Sequence, residues 1–208
     1  MASKIVQITD LHLYSDRGGS DTQLDSDPSH PIHHASLAAV LDDIERNVPD
    51  LTALVVSGDI AATTGKTPLD ELAYKNLRAE LEARGSELLS KTLTVPGNHD
   101  NRKVMLQQFP ESCEADGAAG TEEEPGLFFA SSVFAADGTE WRLVGLDSGA
   151  ISGSGLQPQL EAQQLLRLRE ELADAQHAGN ETTQTRLRLS LCLASVCFRS
   201  VISMDHRR

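Results

Sequence analysis

The stretch VPGNHD at residues 95–100 places a glycine, an amide, an imidazole and a carboxylate directly after a short hydrophobic run. Two earlier runs end in the same way. KIVQIT, residues 4–9, is followed by DLH at 10–12, and LTALVVS, residues 51–57, is followed by GD at 58–59. Short runs rich in β-branched and large apolar residues are typical of buried strands. We therefore predict three strands, each followed by a cluster of polar side chains.

Amphipathic helices are predicted between these strands. Residues 35–47 carry apolar side chains at helical spacing, and residues 68–84 begin with a proline, which suits the first turn of a helix. The third strand is predicted at residues 92–95. This alternating order indicates a layered α/β fold, in which the carboxyl ends of parallel strands lie at one edge of the sheet. We expect the three polar clusters to meet at that edge.

The middle of the chain predicts a second sheet. Residues 127–134 and 141–147 have strand-like patterns on either side of Asp137-Gly138, so a hairpin is expected there. Residues 159–176 are predicted to form an amphipathic helix, because leucines recur near helical spacing. Residues 14–31 are rich in Gly, Ser and Asp, which predicts a long loop.

The last part of the chain differs in composition. Residues 177–208 hold five arginines against one glutamate and one aspartate, and two of the three cysteines. Residues 186–194 alternate in polarity and suit a strand, whereas residues 196–208 show no periodicity or turn signal. We therefore predict one domain at residues 1–185, followed by an atypical tail at 186–208.

Composition excludes several classes of protein. A formal net charge of -13 argues against nucleic acid as a partner, since phosphate backbones call for a basic surface. No run approaches the roughly 18 apolar residues of a membrane span, and the N-terminus lacks a signal-peptide pattern, so a cytoplasmic protein without membrane contact is expected. Three cysteines without zinc-finger spacing indicate neither a disulfide framework nor a structural zinc site.

The polar clusters contain the side chains that divalent metals prefer. Carboxylate, imidazole and amide ligands suit manganese, iron or zinc. Gly58 and Gly97 permit tight turns that direct the residues after them towards one point. A lone Asp-x-His is more often a surface turn than a site, and a lone Gly-Asp carries almost no information, whereas Gly-Asn-His-Asp is rarer. When all three clusters occur in this order, each directly after a hydrophobic strand, they favour a metal centre. Bound metal ions would also give an acidic protein the local positive charge that it needs to bind a phosphate.

From residue 4 to 176 the sequence resembles the calcineurin-like metallophosphoesterases, whose signature is D-x-H, then G-D, then G-N-H-D or G-N-H-E. More narrowly, ITDLHL at 8–13, SGDI at 57–60, VPGNHD at 95–100 and GLDSG at 145–149 resemble the bacterial class III cyclic nucleotide phosphodiesterases of the Icc type. The resemblance implies a layered αββα sandwich and a hydrolase of phosphate esters.

The resemblance also implies a metal-binding role for four residues. Asp10 and His12 would bind the first of two divalent ions, Asp59 would bridge both, and Asn98 would bind the second. Mn²⁺ or Fe²⁺/Fe³⁺ is expected, with Zn²⁺ as an alternative. Water between two ions about 3.5 to 4 Å apart is acidified enough to attack phosphorus as hydroxide near neutral pH.

Two further residues would serve catalysis on the same grounds. His99 would stabilise or protonate the leaving oxygen, and Asp100 would orient His99. Imidazole is the usual general acid near neutral pH. The resemblance implies a 3′,5′-cyclic nucleotide as the substrate, cyclic AMP first among them, and 5′-monophosphate as the product. Members of this family often form dimers, so a homodimer is also compatible with it.

The histidine motifs of the family's second half are absent from this sequence. The family pattern has a His-His at a strand end and a later Gly-His-x-His, but only His177, which we place in a polar loop, and His206 follow His99. The second metal site is therefore expected to be weak and the family domain incomplete at its C-terminus. His33 and His34 are an alternative source of ligands.

Three interpretations follow from these patterns. The first is a metal-dependent phosphodiesterase that uses a metal-bound hydroxide. The second is a truncated or non-catalytic relative that retains one metal site. The third is a phosphate-responsive binding protein, for which nucleotide binding without turnover would be diagnostic.

Overall fold

A computed structural model of the chain describes most of its predicted elements. The described residues are 4–13, 34–62, 68–112, 114–120, 125–134, 140–147, 162–181, 188–193 and 201–203. They form five helices and eight strands, arranged in two sheets. Within this described part of the chain, no helix combines the length and the apolarity that a membrane span requires.

The three predicted N-terminal strands form one parallel sheet. Its strands are β1 (Lys4–Ile8), β2 (Leu51–Ser57) and β3 (Thr92–Val95), and β2 lies in the middle. Ile8 of β1 lies opposite Val56 of β2, and Ser57 lies opposite Val95 of β3. The three strands therefore end at the same level, and the polar clusters that follow them start from one edge of the sheet.

Helices cover one face of the parallel sheet. These are α1 (His34–Asn47), α2 (Pro68–Ala83), α3 (Ser86–Ser90) and α4 (Arg102–Gln108). The predictions for α1 and α2 are confirmed to within one residue, whereas α3 and α4 were not predicted. The helices and β2 share one buried cluster, which includes Leu37, Leu41, Leu54, Val56, Tyr74, Leu77 and Leu81.

The opposite face of the parallel sheet packs on the second sheet. Side chains alternate across a strand, so Ala53 and Val55 point away from the helices and lie in a separate buried cluster with Phe129 and Leu143. The second sheet holds its strands in the order of the sequence, namely β4 (Glu114–Gly120), β5 (Pro125–Phe134), β6 (Glu140–Leu146), β7 (Arg188–Leu193) and β8 (Val201–Ser203).

The predicted hairpin is confirmed as the antiparallel pair of β5 and β6, although its turn at Asp137-Gly138 lies outside the described residues. The strand expected at residues 186–194 is confirmed as β7, which pairs parallel to β6. The tail also contains β8, so the irregular conformation expected there was wrong for these three residues. The domain boundary at residue 185 stays a prediction.

Helix α5 (Ala162–Glu181) covers the outer face of the second sheet. Leu168 and Leu172 pack on a buried cluster that contains Phe128 and Val144. The helix includes His177, so the loop expected at this residue was wrong. Two sheets lie between two helical layers, which confirms the layered α/β sandwich expected from the sequence.

Candidate metal centre

The loops after β1 and β2 run side by side beyond the ends of their strands. The backbone N–H of Asp10 donates to the carbonyl of Gly58 at 3.1 Å, and the N–H of His12 donates to the carbonyl of Asp59 at 2.8 Å. These bonds continue the parallel pairing of the two strands. Two of the three polar clusters are therefore held together by backbone hydrogen bonds.

Three predicted metal ligands meet at this edge. Nε2 of His12 lies 3.8 Å from Oδ1 of Asp10 and 3.9 Å from Oδ2 of Asp59. One ligand atom from each residue lies within 4.8 Å of the others. Atoms that share one ion at about 2.0–2.2 Å lie about 3 to 4 Å apart, so only a small contraction is needed. Two carboxylates and an imidazole fit a divalent cation of the manganese, iron or zinc type.

Backbone strain coincides with these three residues. Asp10, His12 and Asp59 have φ angles of 56°, 43° and 50°, and they are the non-glycine residues with positive φ in the described part of the chain. The left-handed conformation costs about 1–2 kcal/mol per residue for most side chains other than glycine, and Asp and His adopt it more readily than most. Such strain is typical of functional sites, because it persists only where the surrounding structure holds it.

The loop after β3 packs directly on Asp59. A Cβ atom on Gly97 would lie 2.1 Å from Oδ1 of Asp59 and 2.4 Å from its backbone nitrogen. A larger residue at position 97 would therefore displace Asp59. The N–H of His99 donates to Oδ1 of Asp59 at 3.0 Å. Oδ2 of Asp59 is thus the oxygen that faces His12. Gly97 is required here for close approach.

Asn98 lies in this same loop and is half-buried. Its neighbours Gly97 and His99 both contact Asp59, so its backbone lies beside the candidate centre. Its role as a ligand to a second ion stays a prediction, as does the bridging role of Asp59. His33 lies outside the described residues, and His34 begins α1 with its side chain outside them.

His99 lies next to the three ligands with its ring orientation fixed. Its Nδ1 lies 3.1 Å from the carbonyl oxygen of Ala62. Because a carbonyl can only accept, Nδ1 carries the proton of this bond, and Nε2 is the nitrogen that can exchange a proton with a substrate. The ring stands at 85° to that of His12, with 5.1 Å between ring centroids.

Asp100 is buried and braces the loops instead of contacting His99. Its Oδ1 accepts hydrogen bonds from the N–H of Ile60 at 2.9 Å and of Ala61 at 3.1 Å, and its Oδ2 accepts one from the N–H of Gly97 at 2.8 Å. Burial raises the pKa of Asp100 above its ordinary value, although the hydrogen bonds from Gly97 and Ala61 oppose that rise. The carbonyl of Ala62, and not Asp100 as we predicted, makes the hydrogen bond that orients His99.

Tyr74 of α2 supports the same loops and was not predicted from the sequence. Its side chain is fully buried, and its hydroxyl donates to Oδ1 of Asp100 at 3.0 Å. The hydroxyl also accepts from the N–H of Asn101 at 2.7 Å. The position of Tyr74 on the buried face of its helix is the sequence feature that could have indicated this supporting role. Ordinary core packing explains such a position equally well.

An ion pair between Arg102 and Asp147 was also missed. Nε of Arg102 donates to Oδ2 of Asp147 at 2.5 Å, and Nη2 donates to Oδ1 at 2.8 Å. Asp147 directly follows β6, so the pair joins the second sheet to the start of α4. The sequence signals for this pair are weak, because Arg102 stands two residues after the GNHD motif and Asp147 lies in GLDSG, and neither position alone predicts an ion pair.

Comparison with known families agrees with this arrangement. The calcineurin-like phosphoesterase family matches residues 3–171, which include all three strand-end clusters. The chain belongs to the calcineurin-like phosphoesterase family. Phosphoesterases of this family use divalent metals, and Asp10, His12 and Asp59 form a candidate site for one.

Among solved structures, the chain is similar to the calcineurin-like phosphoesterase YfkN from Bacillus subtilis. The two share 14% sequence identity with a TM-score of 0.43, and the match covers 98% of this chain and 65% of YfkN. This chain thus spans less than two thirds of the YfkN chain. No curated protein matches the chain closely enough to be counted as a relative. The narrower resemblance to Icc-type enzymes finds no support in these comparisons.

Proposed function

We propose that this phosphoesterase hydrolyses phosphodiesters, and that its substrates are 3′,5′-cyclic nucleotides, with cyclic AMP first among them. The observation that carries the proposal is the convergence of Asp10, His12 and Asp59 on one point, with His99 beside them. Family membership supports a hydrolase of phosphate esters. The choice of cyclic nucleotides is supported only by the motifs at 8–13, 57–60, 95–100 and 145–149.

The residues present fit one divalent cation well. Asp10, His12 and Asp59 would hold the first ion, and Asp59 with Asn98 would hold a second, weaker one. A bound divalent cation supplies positive charge against the phosphate and makes a nearby water more acidic. This local charge is needed because the chain carries a formal net charge of -13, which repels an anionic ester.

His99 is proposed to move the proton. Opening a 3′,5′-cyclic phosphate to the 5′-monophosphate adds water across the P–O3′ bond, and the departing O3′ takes up a proton. The hydrogen bond from Nδ1 to Ala62 engages one ring nitrogen, so Nε2 is proposed as the nitrogen that donates the proton. A positioned general acid of this kind contributes about 10²–10⁴-fold to a rate.

A phosphodiesterase assay tests the proposal. Purified protein would be incubated with Mn²⁺ and bis(p-nitrophenyl) phosphate, p-nitrophenyl phosphate or cyclic AMP. Asp59→Asn removes the central carboxylate, and Asp43→Asn makes the same change on the exposed face of α1. We expect turnover of both diesters by the wild type and Asp43→Asn, and loss of more than about 100-fold in Asp59→Asn. Turnover of the monoester alone would overturn the diester assignment.

A second candidate function rests on the family's Gly-His-x-His motif, which these 208 residues do not contain. A non-catalytic relative would bind Mn²⁺ at the first site but turn over none of the three substrates. Calorimetric titration with Mn²⁺, and then with cyclic AMP, separates this candidate from the enzyme. Nucleotide binding without turnover would support a phosphate-responsive binding protein.

A cytoplasmic location and a homodimer are also proposed, and light scattering tests the dimer.

A further inference from the structure

A buried ion pair lies beside the candidate centre without belonging to the predicted ligands. The side chains of Arg102 and Asp147 are only 7% and 3% exposed. Two parallel hydrogen bonds join them, a geometry that gives an arginine–carboxylate pair both strength and direction. The pair connects α4, which follows the GNHD loop, with the end of β6 in the second sheet.

Stability alone is a weak reason for such a pair. Removing two charges from water costs several kcal/mol per ion, and apolar residues of similar volume often give equal or greater stability. Contacts between apolar side chains are not directional, so they do not fix one group at a set distance and angle from another. The value of the Arg102–Asp147 pair is therefore expected to lie in positioning.

The hydrogen bonds of the pair lead to the metal centre. Nη1 of Arg102 donates to the backbone carbonyl of Asp100 at 3.5 Å. The carboxylate of Asp100 in turn accepts from Gly97 N–H, which belongs to the loop that packs on Asp59. A continuous set of contacts thus runs from Asp147 on the second sheet to the carboxylate at the centre of the candidate site.

We propose that Arg102 and Asp147 are positioning residues, which hold the loop at residues 96–101 against Asp59 and thereby set the metal affinity of the centre. The inference rests on the proposed function in so far as the centre binds a divalent ion. Groups that orient metal ligands through hydrogen bonds typically affect metal affinity by about 10–100-fold. The second sheet would thus contribute to the site through geometry, without contributing one of the predicted ligands.

The test compares two ion pairs in the same protein. Arg142 of β6 and Glu171 of α5 form a second bidentate pair, with contacts of 2.6 and 2.9 Å. This pair lies on the opposite face of the second sheet from the parallel sheet. The double variants Arg102→Met with Asp147→Leu, and Arg142→Met with Glu171→Leu, replace each pair by apolar side chains, and Asp147→Asn breaks the first pair alone.

Mn²⁺ affinity by calorimetry and the midpoint of thermal unfolding are measured for each variant. We expect Asp147→Asn to weaken Mn²⁺ binding about 10–100-fold. The double variant at 102 and 147 should recover thermal stability but remain at least about tenfold weaker in Mn²⁺ binding, whereas the double variant at 142 and 171 should bind as the wild type does. Recovery of affinity together with stability would overturn the proposal, because it would show a purely structural role.

Hydrogen exchange in metal-free protein provides a readout that needs no metal. The N–H of Gly97 donates to Asp100, and the N–H of His99 donates to Asp59. In the variants that break the Arg102–Asp147 pair, a loosened loop should exchange these two amide hydrogens at least about tenfold faster than in the wild type. If wild type binds no Mn²⁺, the proposed function fails, while exchange still decides the positioning role. If the double variant does not fold, Arg102→Lys, which keeps the charge but not the fork, takes its place in both measurements. Unchanged exchange at both amides would refute the inference.

Discussion

The two sheets of this protein differ in which residues their strand ends bring together. The three strands of the parallel sheet all end at one edge, and each is followed by polar residues that meet there. The second sheet is antiparallel except for β6 and β7, so the ends of neighbouring strands mostly point in opposite directions. Parallel strands thus bring residues distant in sequence to one point, and the Arg102–Asp147 pair joins the second sheet to the loops at that point.

The sheets also differ in backbone strain. The left-handed residues Asp10, His12 and Asp59 all follow strands of the parallel sheet, and none of the described residues of the second sheet other than glycine has a positive φ. Strain and ligands therefore occur together in one region. Because a strained backbone opposes folding, relieving the strain at one of these residues should raise the free energy of unfolding.

The largest expected effect is at Asp10. Asp10→Gly removes a ligand but suits φ = 56°, whereas Asp10→Ala removes the ligand and keeps the strain. We expect both variants to lose more than about 100-fold in Mn²⁺ affinity, since a ligand should matter more than the groups that orient it. Denaturant unfolding without metal should show Asp10→Gly more stable than Asp10→Ala by about 1 kcal/mol. Equal stability of the two would contradict the account of strain.

Two glycines sharpen the comparison between the sheets. A Cβ on Gly97 would meet Asp59 at 2.1 Å, and a Cβ on Gly145 would meet the ring of Phe129 at 2.2 Å. Both Gly→Ala variants should lose about 1–3 kcal/mol of unfolding free energy, because neither position has room for a methyl group. Only Gly97→Ala should also lose Mn²⁺ affinity, measured by calorimetry. A comparable loss in Gly145→Ala would show that general destabilisation is enough to impair the site.

Tyr74→Phe is expected to have the next largest effect on stability. The change removes a donor to Asp100 and an acceptor of the Asn101 N–H, both in buried or half-buried surroundings, at a cost of about 1–3 kcal/mol. Ser132→Ala is the matched control, since its half-buried hydroxyl accepts from Arg142 in the second sheet at 3.2 Å. Urea unfolding should show a smaller loss in Ser132→Ala. The reverse order would contradict the importance given to the Asp100 network.

The smallest effect is expected at Glu171. The side chains of Arg142 and Glu171 are 28% and 19% exposed, so water and salt screen the pair more than the pair at Arg102. Glu171→Gln should lower the unfolding free energy by about 1 kcal/mol or less, and 1 M salt should shrink the difference further. Thermal unfolding at two salt concentrations measures this. A loss larger than that in Asp147→Asn would reverse the proposed ranking of the two pairs.

Much of the fold was predictable because its signals are local. The strands β1, β2 and β3 are short apolar runs, and α1, α2 and α5 have helical periodicity, so each could be recognised without its neighbours. The strand β4 could not, because its sequence EADGAAG consists of residues that are depleted in strands. It is a strand because β5 offers it hydrogen bonds. The seven-residue α4 and the five-residue α3 are too short to show a clear period.

The candidate site was predictable to a similar degree. The residues that meet at the centre, Asp10, His12 and Asp59, stand directly behind strands, where the parallel order predicts that they converge. The partner of His99 was not predictable, since Ala62 contributes only a backbone carbonyl, which every residue possesses. The hydrogen bonds that Asp100 accepts from the loop after β2 were not predictable either, because their donors are backbone N–H groups.

By itself the sequence determined which residues end the parallel strands and what chemistry they offer, because strand patterns and side-chain types are properties of short segments. Only the tertiary structure decided which groups brace that chemistry. Arg102 and Asp147 stand 45 residues apart, and Tyr74 and Asp100 stand 26 apart. Arg78 and Glu82 also form an arginine–carboxylate pair, but that pair lies at the surface. Burial and direction, which distinguish a positioning pair from a surface pair, arise only when the two sheets pack together.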